Sequence, residues 1–365
     1  MPDRSGRGDR RAVPTSARAT IYDIAAEAGV SSATVSRTFG APAKVRPDTR
    51  RRVLDVAARL GYRANPLARA LPSGRTSTLA LVVPAITNPH FFDIITGAEQ
   101  RAVEAGFTLV LANTGQSDLS EAAAIERLEP MVDGVMLASS RLDDDRIARF
   151  ADRTNLALCN RQAGRIPSVT TDQVNGIEQV VGHLHSLGHR RIGLLGGPET
   201  SWAGRLRRRA VVAAGGRLGV TVQLLGPFNP IVAGGQSAAD AAIGAGVTAV
   251  LAHNDLLAIG VLRRLADRGV HVPGEMSVVG FDDIFGADFC VPALTTVAAP
   301  SHELGRTAVD LVLASVAGQP VPASTVLPAH LTVRESTGPA PDSRTAPGQS
   351  RWRTQSAQTL PPGSR

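Results

Sequence analysis

Two hydrophobic patterns share this chain. Between Thr20 and Gly61, apolar positions recur at helical spacing. Ile21, Ile24, Ala25 and Ala28 fall on one helix face, behind a capping-box signature, Thr20-Ile-Tyr-Asp23. Gly29 breaks that helix, and Ser31 can cap a second one that runs through Val35 and Phe39. Pro47 suits the first turn of a third helix, whose Val53, Ala57 and Leu60 share a face before Gly61 ends it. From Thr78 onward the pattern changes to short apolar runs separated by amphipathic stretches. Leu79–Val83, Thr108–Leu111, Gly134–Ala138, Leu156–Cys159, Ile192–Leu195, Thr221–Leu224, Ala249–Ala252 and Ser277–Phe281 read as strands. Near-continuous apolar strands alternating with helices indicate parallel sheets buried on both faces. Eight such strands exceed one small sheet, so the reading is two doubly wound lobes with a ligand cleft beyond their strand ends.

The flanks lack periodicity. Residues 1–18 and 338–365 read as disordered tails, and neither carries apolar heptads. Residues 64–76 read as a hinge: Asn65 as cap, Pro66 in the first turn, Pro72 and Gly74 as stops. A helix that short is unstable alone in water. The expected order is therefore a basic tail (1–18), an all-α helix-turn-helix head (19–63), the hinge (64–76), an α/β body (77–337) and a second tail (338–365). Within the body, lobe one is expected at about 77–170 and 296–325, and lobe two at about 171–295 and 326–337.

Composition narrows the function classes. The 365 residues are 43% hydrophobic, which rules out disorder as the whole answer. The longest apolar runs fall far short of the ~20 residues of a membrane helix. The Arg-rich start lacks the apolar core of a signal peptide. Two cysteines, Cys159 and Cys290, supply neither a zinc site nor a disulfide framework, so a cytoplasmic location is the default. Charge is uneven. Residues 19–75 hold ten Lys and Arg against four Asp and Glu, whereas residues 76–336 hold twenty against twenty-five. A basic head on an acidic body suits a nucleic-acid reader joined to something else.

The decisive string runs from Thr20 to Arg37, with the helix, glycine turn and Ser-capped helix of a helix-turn-helix. Its second helix carries Ser32, Ala33, Thr34, Ser36 and Arg37, with little apolar bulk beyond Val35. Ser31, Thr34 and Ser36 suit phosphate contacts. Arg37 can make a bidentate pair with guanine.

With Val45-Arg-Pro-Asp-Thr-Arg50, Leu60-Gly-Tyr-Arg63 and Leu67-Ala-Arg-Ala-Leu71, this string resembles the LacI/GalR family of bacterial transcription regulators. The resemblance continues through Asn88-Pro-His-Phe-Phe92, Val132-Asp-Gly134, Leu187-Gly-His-Arg-Arg-Ile192, His253-Asn-Asp255, Ser277-Val-Val-Gly-Phe-Asp-Asp283 and Pro292-Ala-Leu-Thr-Thr296. It implies a homodimer on a pseudo-palindromic DNA operator, without cofactor, metal or catalytic residues. It assigns Tyr22, Ser31, Thr34, Ser36, Thr49, Tyr62 and Asn65 to the sugar–phosphate backbone, and Ser32, Ala33 and Arg37 to base edges. Thr20 and Ala68 complete the DNA-facing set. Leu71 matches the hinge leucine that wedges into the central base step, as apolar wedges do when they kink a duplex. Three departures bear on the operator. Proline follows Asn65 rather than preceding it, Gly40 stands where an asparagine is common, and Arg46 replaces a frequent serine cap.

The same resemblance places a small-molecule effector between lobes like those of periplasmic sugar-binding proteins. The matching positions are Asn88, His90, Phe91, Asn113, Asn160, Arg161, Arg207, Phe228, Asn254 and Asp282. Aromatic faces can cover a sugar's C–H surface while Arg, Asn and Asp pair with its hydroxyls. His90 stands where relatives often have an aromatic, and Asn160 where sugar binders often have Asp. A sugar is the leading expectation, with an anionic metabolite or a nucleobase as alternatives. His183, His185 and His189 do not read as a metal cluster, and Gly193-Leu-Leu-Gly-Gly197 reads as a turn after a strand. Of Arg207-Arg208-Arg209, only Arg207 is expected to face inward. The rival to an effector-controlled regulator, most simply a repressor, is a ligand-binding module without a DNA target, or an enzyme using the cleft.

Overall fold

Caps and turns shape the first part of the chain. The structure is a computed structural model that describes residues 19–40, 42–62 and 75–341. It divides between Thr76 and Ser77 into two units. The first holds α1 (Ile21–Ala28), α2 (Ser32–Gly40) and α3 (Pro47–Arg59). The Thr20 hydroxyl accepts from the Asp23 N–H, while the Asp23 carboxylate accepts from the Thr20 N–H at 2.7 Å. Gly29 ends α1 at φ 65°, a left-handed conformation that glycine adopts without strain. Pro47 opens α3, and Arg46 before it makes no side-chain cap. Ile24, Ala25, Ala28, Val35, Val53, Val56 and Ala57 form the core.

The second unit holds two six-stranded sheets. The first comprises β1 (Thr78–Val83), β2 (Thr108–Asn113), β3 (Gly134–Ala138), β4 (Leu156–Cys159), β5 (Ser168–Thr171) and β11 (Thr325–Leu327). Their order is β11-β5-β4-β3-β1-β2, parallel throughout. The second comprises β6 (Arg191–Leu195), β7 (Thr221–Leu225), β8 (Ala249–Ala252), β9 (Ser277–Asp282), β10 (Thr295–Ala298) and β12 (His330–Thr332). Its order is β12-β10-β9-β8-β6-β7, with only β10–β12 antiparallel. Helices α4 (His90–Glu104), α5 (Asp118–Leu128), α6 (Asp144–Ala151) and α11 (Ser301–Val316) belong to the first lobe. Helices α7 (Gln173–Ser186), α8 (Trp202–Leu218), α9 (Gly235–Ala245) and α10 (Asp255–Asp267) belong to the second. Separate apolar clusters cover the two faces of each sheet, as the unbroken apolar strands require.

All eight expected strands form. Four more do not come from apolar runs. β5 and β10 are fully buried yet rich in hydroxyls, and β11 and β12 have three residues each. Their buried hydroxyls are satisfied: Ser168 donates to the Ala323 carbonyl, and Thr296 to Asp255. The lobe boundaries shift accordingly. The chain crosses after β5, after β10 and after β11. β10, expected in lobe one, pairs with β9 in the second sheet, and β11 pairs with β5 in the first. The last two crossings fall at Pro300 and Pro328, which cannot extend a ladder.

The expected hinge up to residue 74, with Asn65, Ala68 and Leu71, lies outside the described residues. So do the tails, apart from residues 338–341. Gly338 and Ala340 are tied to the body: His189 and Ser277 contact the Gly338 carbonyl, and the Ala340 N–H donates to Leu187. His189 is thus a satisfied core histidine, with Thr248 on its other ring nitrogen. No group of metal ligands occurs among the described residues, and no described helix is long and apolar enough to cross a membrane.

Candidate functional site

In the first unit, α2 turns Val35 and Thr38 inward and presents Ser31, Ala33 and Arg37 to solvent, with Ser32, Thr34 and Ser36 half-buried. Ser31 caps the helix through the Thr34 N–H at 3.2 Å, and the two hydroxyls lie 2.9 Å apart. Arg37 forms no ion pair with any described residue, whereas Arg59 is paired with Glu27 at 2.9 Å. Tyr22 is exposed on α1, Thr49 is half-buried on α3, and Tyr62 packs against Phe39 with ring centroids 5.6 Å apart. Of the thirteen DNA-facing positions expected, Thr20, Tyr22, Ser31, Ser32, Ala33, Thr34, Ser36, Arg37, Thr49 and Tyr62 are described.

In the second unit, the carboxyl ends of β1, β3, β4, β8 and β9 surround a cavity of about 130 Å³. That is room for on the order of ten waters, or one small ligand. Asn88, His90, Phe91, Asn160, Arg161, Arg207, Asn254 and Asp282 all line it. Four of the six non-glycine residues at positive φ among the described residues line it too: Gln116, Ser139, Asn160 and Asp282 (φ 116°). Strained backbone of this kind is retained where the surrounding structure insists on it.

Buried polar groups link the lobes. Arg207 on α8 donates from Nε to the Gln173 side chain at 2.8 Å, and Gln173 donates to Asn160 of the first lobe at 3.0 Å. The Arg207 guanidinium also donates to the His253 carbonyl and lies 3.4 Å from the Phe281 ring centroid. Burial lowers its basicity, and Asp282 and Asp255 counter that. Asp282 stands 3.6 Å from both Arg207 Nη2 and His90 Nδ1. Both separations exceed a good hydrogen bond, so the carboxylate keeps its capacity to accept from a ligand hydroxyl. Asn88 accepts from the His90 N–H at 3.1 Å, and the Asn254 side chain both caps α10 and donates to the Pro230 carbonyl.

Two buried side-chain atoms among the described residues have no partner, His90 Nδ1 and Arg161 Nε. Both belong to residues that line this cavity. Buried polar atoms without partners are rare and costly, and a ligand that pairs them gains accordingly.

The Asp282 loop rests on Asp255, fully buried at the first turn of α10. Its carboxylate accepts from Thr296 at 2.6 Å and from the Ile284 N–H at 2.8 Å. Gly280 permits this, because a Cβ there would collide with the Asp255 carboxylate. Burial and the neighbouring Asp282 push Asp255 up to about 7. Burial, aided by the Arg207 and Arg141 guanidiniums, pushes His253 down to about 3.

Two expected residues do not reach the cavity. Asn113 is exposed and accepts from the Ile86 N–H at 3.1 Å, bracing the loop after β1. Phe228 packs half-buried on the apolar cluster beneath β8. Both belong to the ends of edge strands: Asn113 is the last residue of β2, and Phe228 follows β7 by three residues. The cavity has further lining beyond the expected effector positions, including Ser139, Ser140, Arg141, Trp202 and His253. Ser139 to Arg141 directly follow the apolar run of β3, where ligands are expected in an open sheet. Trp202 is one of only two tryptophans in the chain. Nothing in the sequence singles out Gln173.

The sequence matches the family model for bacterial regulatory proteins of the lacI family over residues 20–65. It matches that for a periplasmic binding protein-like domain over residues 181–337. The HTH-type transcriptional repressor CytR of Escherichia coli (strain K12) is 33% identical over 334 residues, covering 88% of this chain and 97% of that protein. The HTH-type transcriptional regulator DegA of Bacillus subtilis (strain 168) is 31% identical over 334 residues, with coverage of 88% and 99%. Among solved structures, the Lac repressor dimer bound to operator and the anti-inducer ONPF superposes with a TM-score of 0.79 at 26% identity, covering 88% of this chain and all of that one. A complex of the transcriptional regulator CelR with cellobiose gives a TM-score of 0.65 at 31% identity, with coverage of 87% and 100%.

Proposed function

The chain belongs to the lacI family of bacterial regulatory proteins, and on that premise we propose that it is a repressor whose grip on an operator is set by a sugar-like effector in the interlobe cavity. It is a DNA-binding transcription regulator. Its recognition helix is α2: Arg37 reads a base edge, and Ser31, Thr34, Ser36, Tyr22, Thr49 and Tyr62 hold the backbone. Asn65, Ala68 and Leu71 act between head and body, Leu71 as the wedge at the operator centre. Two heads on a symmetric dimer read a pseudo-palindrome. An exposed apolar patch on the second lobe, with Phe285 and Phe289 in edge contact at 5.1 Å and Val291 95% exposed, supports self-association. The work is done in the cytoplasm, where the operator is.

The observation that carries effector control is the unpartnered His90 Nδ1 beside the underused Asp282 carboxylate, inside a cavity walled by both lobes. Asp282, Asn160, Ser139 and Ser140 offer hydroxyl partners, and Phe91 and Trp202 offer aromatic faces. The cleft serves as a receptor rather than a catalytic centre, in keeping with relatives that are themselves named as regulators. A ligand touching both lobes biases their relative position, and a tenfold change in operator affinity needs about 1.4 kcal/mol of difference between the two states.

The test is a thermal-shift screen of the full chain against sugars and sugar derivatives, with hits added to an operator-binding assay. A hit that raises Tm, changes operator affinity and is lost in Asp282→Ala supports the reading. Hits that stabilise the protein but leave operator affinity unchanged would count against it.

A further inference from the structure

Three guanidiniums line the cavity against a single carboxylate, Asp282. One of the three is committed: Arg207 faces Asp282 and also holds Gln173, the His253 carbonyl and the Phe281 ring. The other two come from lobe one, immediately after β3 and β4, and are not neutralised in the same way. The Arg141 guanidinium makes no hydrogen bond or ion pair with any described residue. Glu121, whose carboxylate accepts from the Arg141 N–H at 2.8 Å, is 3% exposed, and burial pushes that carboxyl up. Arg161 is 2% exposed. Its Nη2 bonds the Leu142 carbonyl at 2.8 Å and Asp144 at 2.7 Å, while its Nε has no partner. Asp144 is 67% exposed and faces the adjoining cavity, so its charge is largely screened by solvent. Arg141 and Arg161 repel each other, and Arg205 of lobe two adds to the repulsion at Arg161. Clustered, partly desolvated guanidiniums with unused donors are the chemistry of an oxyanion seat, because a planar fork matches carboxylate and phosphate geometry.

Resting on the reading of the cleft as an effector receptor, we infer that the effector is acidic, and that its phosphate or carboxylate group sits on Arg141 and Arg161. The remainder of the ligand meets Asp282 and the aromatic faces. The seat supplies charge selectivity. A neutral analogue leaves Arg161 Nε unpaired and two like charges unrelieved, while an acidic one satisfies both. Arg205, which lines the adjoining cavity, reaches the same cluster from the other lobe, so the anion also favours lobe approach.

The test titrates the full chain with inorganic phosphate and, separately, with malonate, against sodium chloride of equal ionic strength. Tm and calorimetric affinity are both read. One of the two anions is expected to saturate, with a rise of about 5 °C at one hundred times Kd. Phosphate acting alone names a phosphorylated effector, and malonate alone a carboxylated one. Arg141→Gln and Arg161→Gln should each weaken the affinity about tenfold or more. Arg209→Gln, an exposed arginine outside both cavities, should leave it unchanged. The Arg141 guanidinium makes no hydrogen bond with any described residue, so its variant remains decisive even where Arg161→Gln fails to fold. Stabilisation no greater than that by chloride overturns the inference. So does an effect that survives Arg141→Gln, or one that Arg209→Gln weakens equally, either of which marks an adventitious ion only. Operator binding is measured on the same samples without anion. Its absence in the parent protein would count against the regulator reading and leave the anion seat standing.

Discussion

Replacing Gln173 by leucine removes the side chain that bridges Arg207 to Asn160 across the lobes. Gln173 is 1% exposed, accepts from Arg207 Nε at 2.8 Å and donates to Asn160 Oδ1 at 3.0 Å. Hydrogen bonds to charged groups contribute about 1.5–3 kcal/mol and neutral ones about 1 kcal/mol, more where a partner is left buried and unpaired. Gln173→Leu should therefore cost about 2–4 kcal/mol. Gln173→Glu separates the two terms. Its carboxylate accepts from Arg207 more strongly but cannot donate to Asn160, so its cost should stay below about 1.5 kcal/mol. Urea unfolding of the full chain at neutral pH reads both values, with an unchanged m-value as the control for altered compactness. A leucine variant within about 0.5 kcal/mol of the parent, or one indistinguishable from the glutamate variant, refutes the bridge.

Other expectations follow from the same geometry. Arg37→Met should lower affinity for a preferred duplex by about 1–3 kcal/mol and relax base preference at one position per half-site. A uniform loss across all sequences would make Arg37 a phosphate contact instead. Asp255→Asn cannot accept at both Thr296 and the Ile284 N–H, so the Asp282 loop should loosen and effector affinity fall about tenfold. Effector affinity equal to the parent's would remove Asp255 as a positioning residue. His253 is held down to about 3, so the unfolded chain binds its proton first. Stability should be intact above pH 6.5 and fall below it, by up to about 1.4 kcal/mol per pH unit from this group. His253→Asn should remove that slope, and a slope unchanged by the substitution would place the acid sensitivity elsewhere.

The apolar runs made the architecture legible, because a strand buried on both faces must be apolar along its length. The four additional strands were not legible. β5 and β10 bury threonine and serine hydroxyls that distant partners satisfy, such as Thr296 on Asp255. The cleft was legible where family motifs coincided with the ends of central strands, as at Asn160, Arg161 and Asp282. It was illegible where a residue ends an edge strand, as Asn113 does, or where a contact is made only in three dimensions. Gln173 is of that second kind: it opens α7 where the chain enters the second lobe after β5, and only the folded lobe brings it to Arg207 on α8. Arg141 was within reach of the rule that open sheets bind ligands beyond their strand ends, since it follows the β3 run by three residues.

The most direct measurement selects duplexes from a random DNA library with the full chain, then follows affinity for the winner as salt is raised. A pseudo-palindrome should emerge, with half-sites spaced for two heads, and log Kd should vary linearly with log salt at a steep slope. Enrichment of no sequence, or a weak slope shared by every duplex, would contradict the account of this protein as an operator-binding regulator.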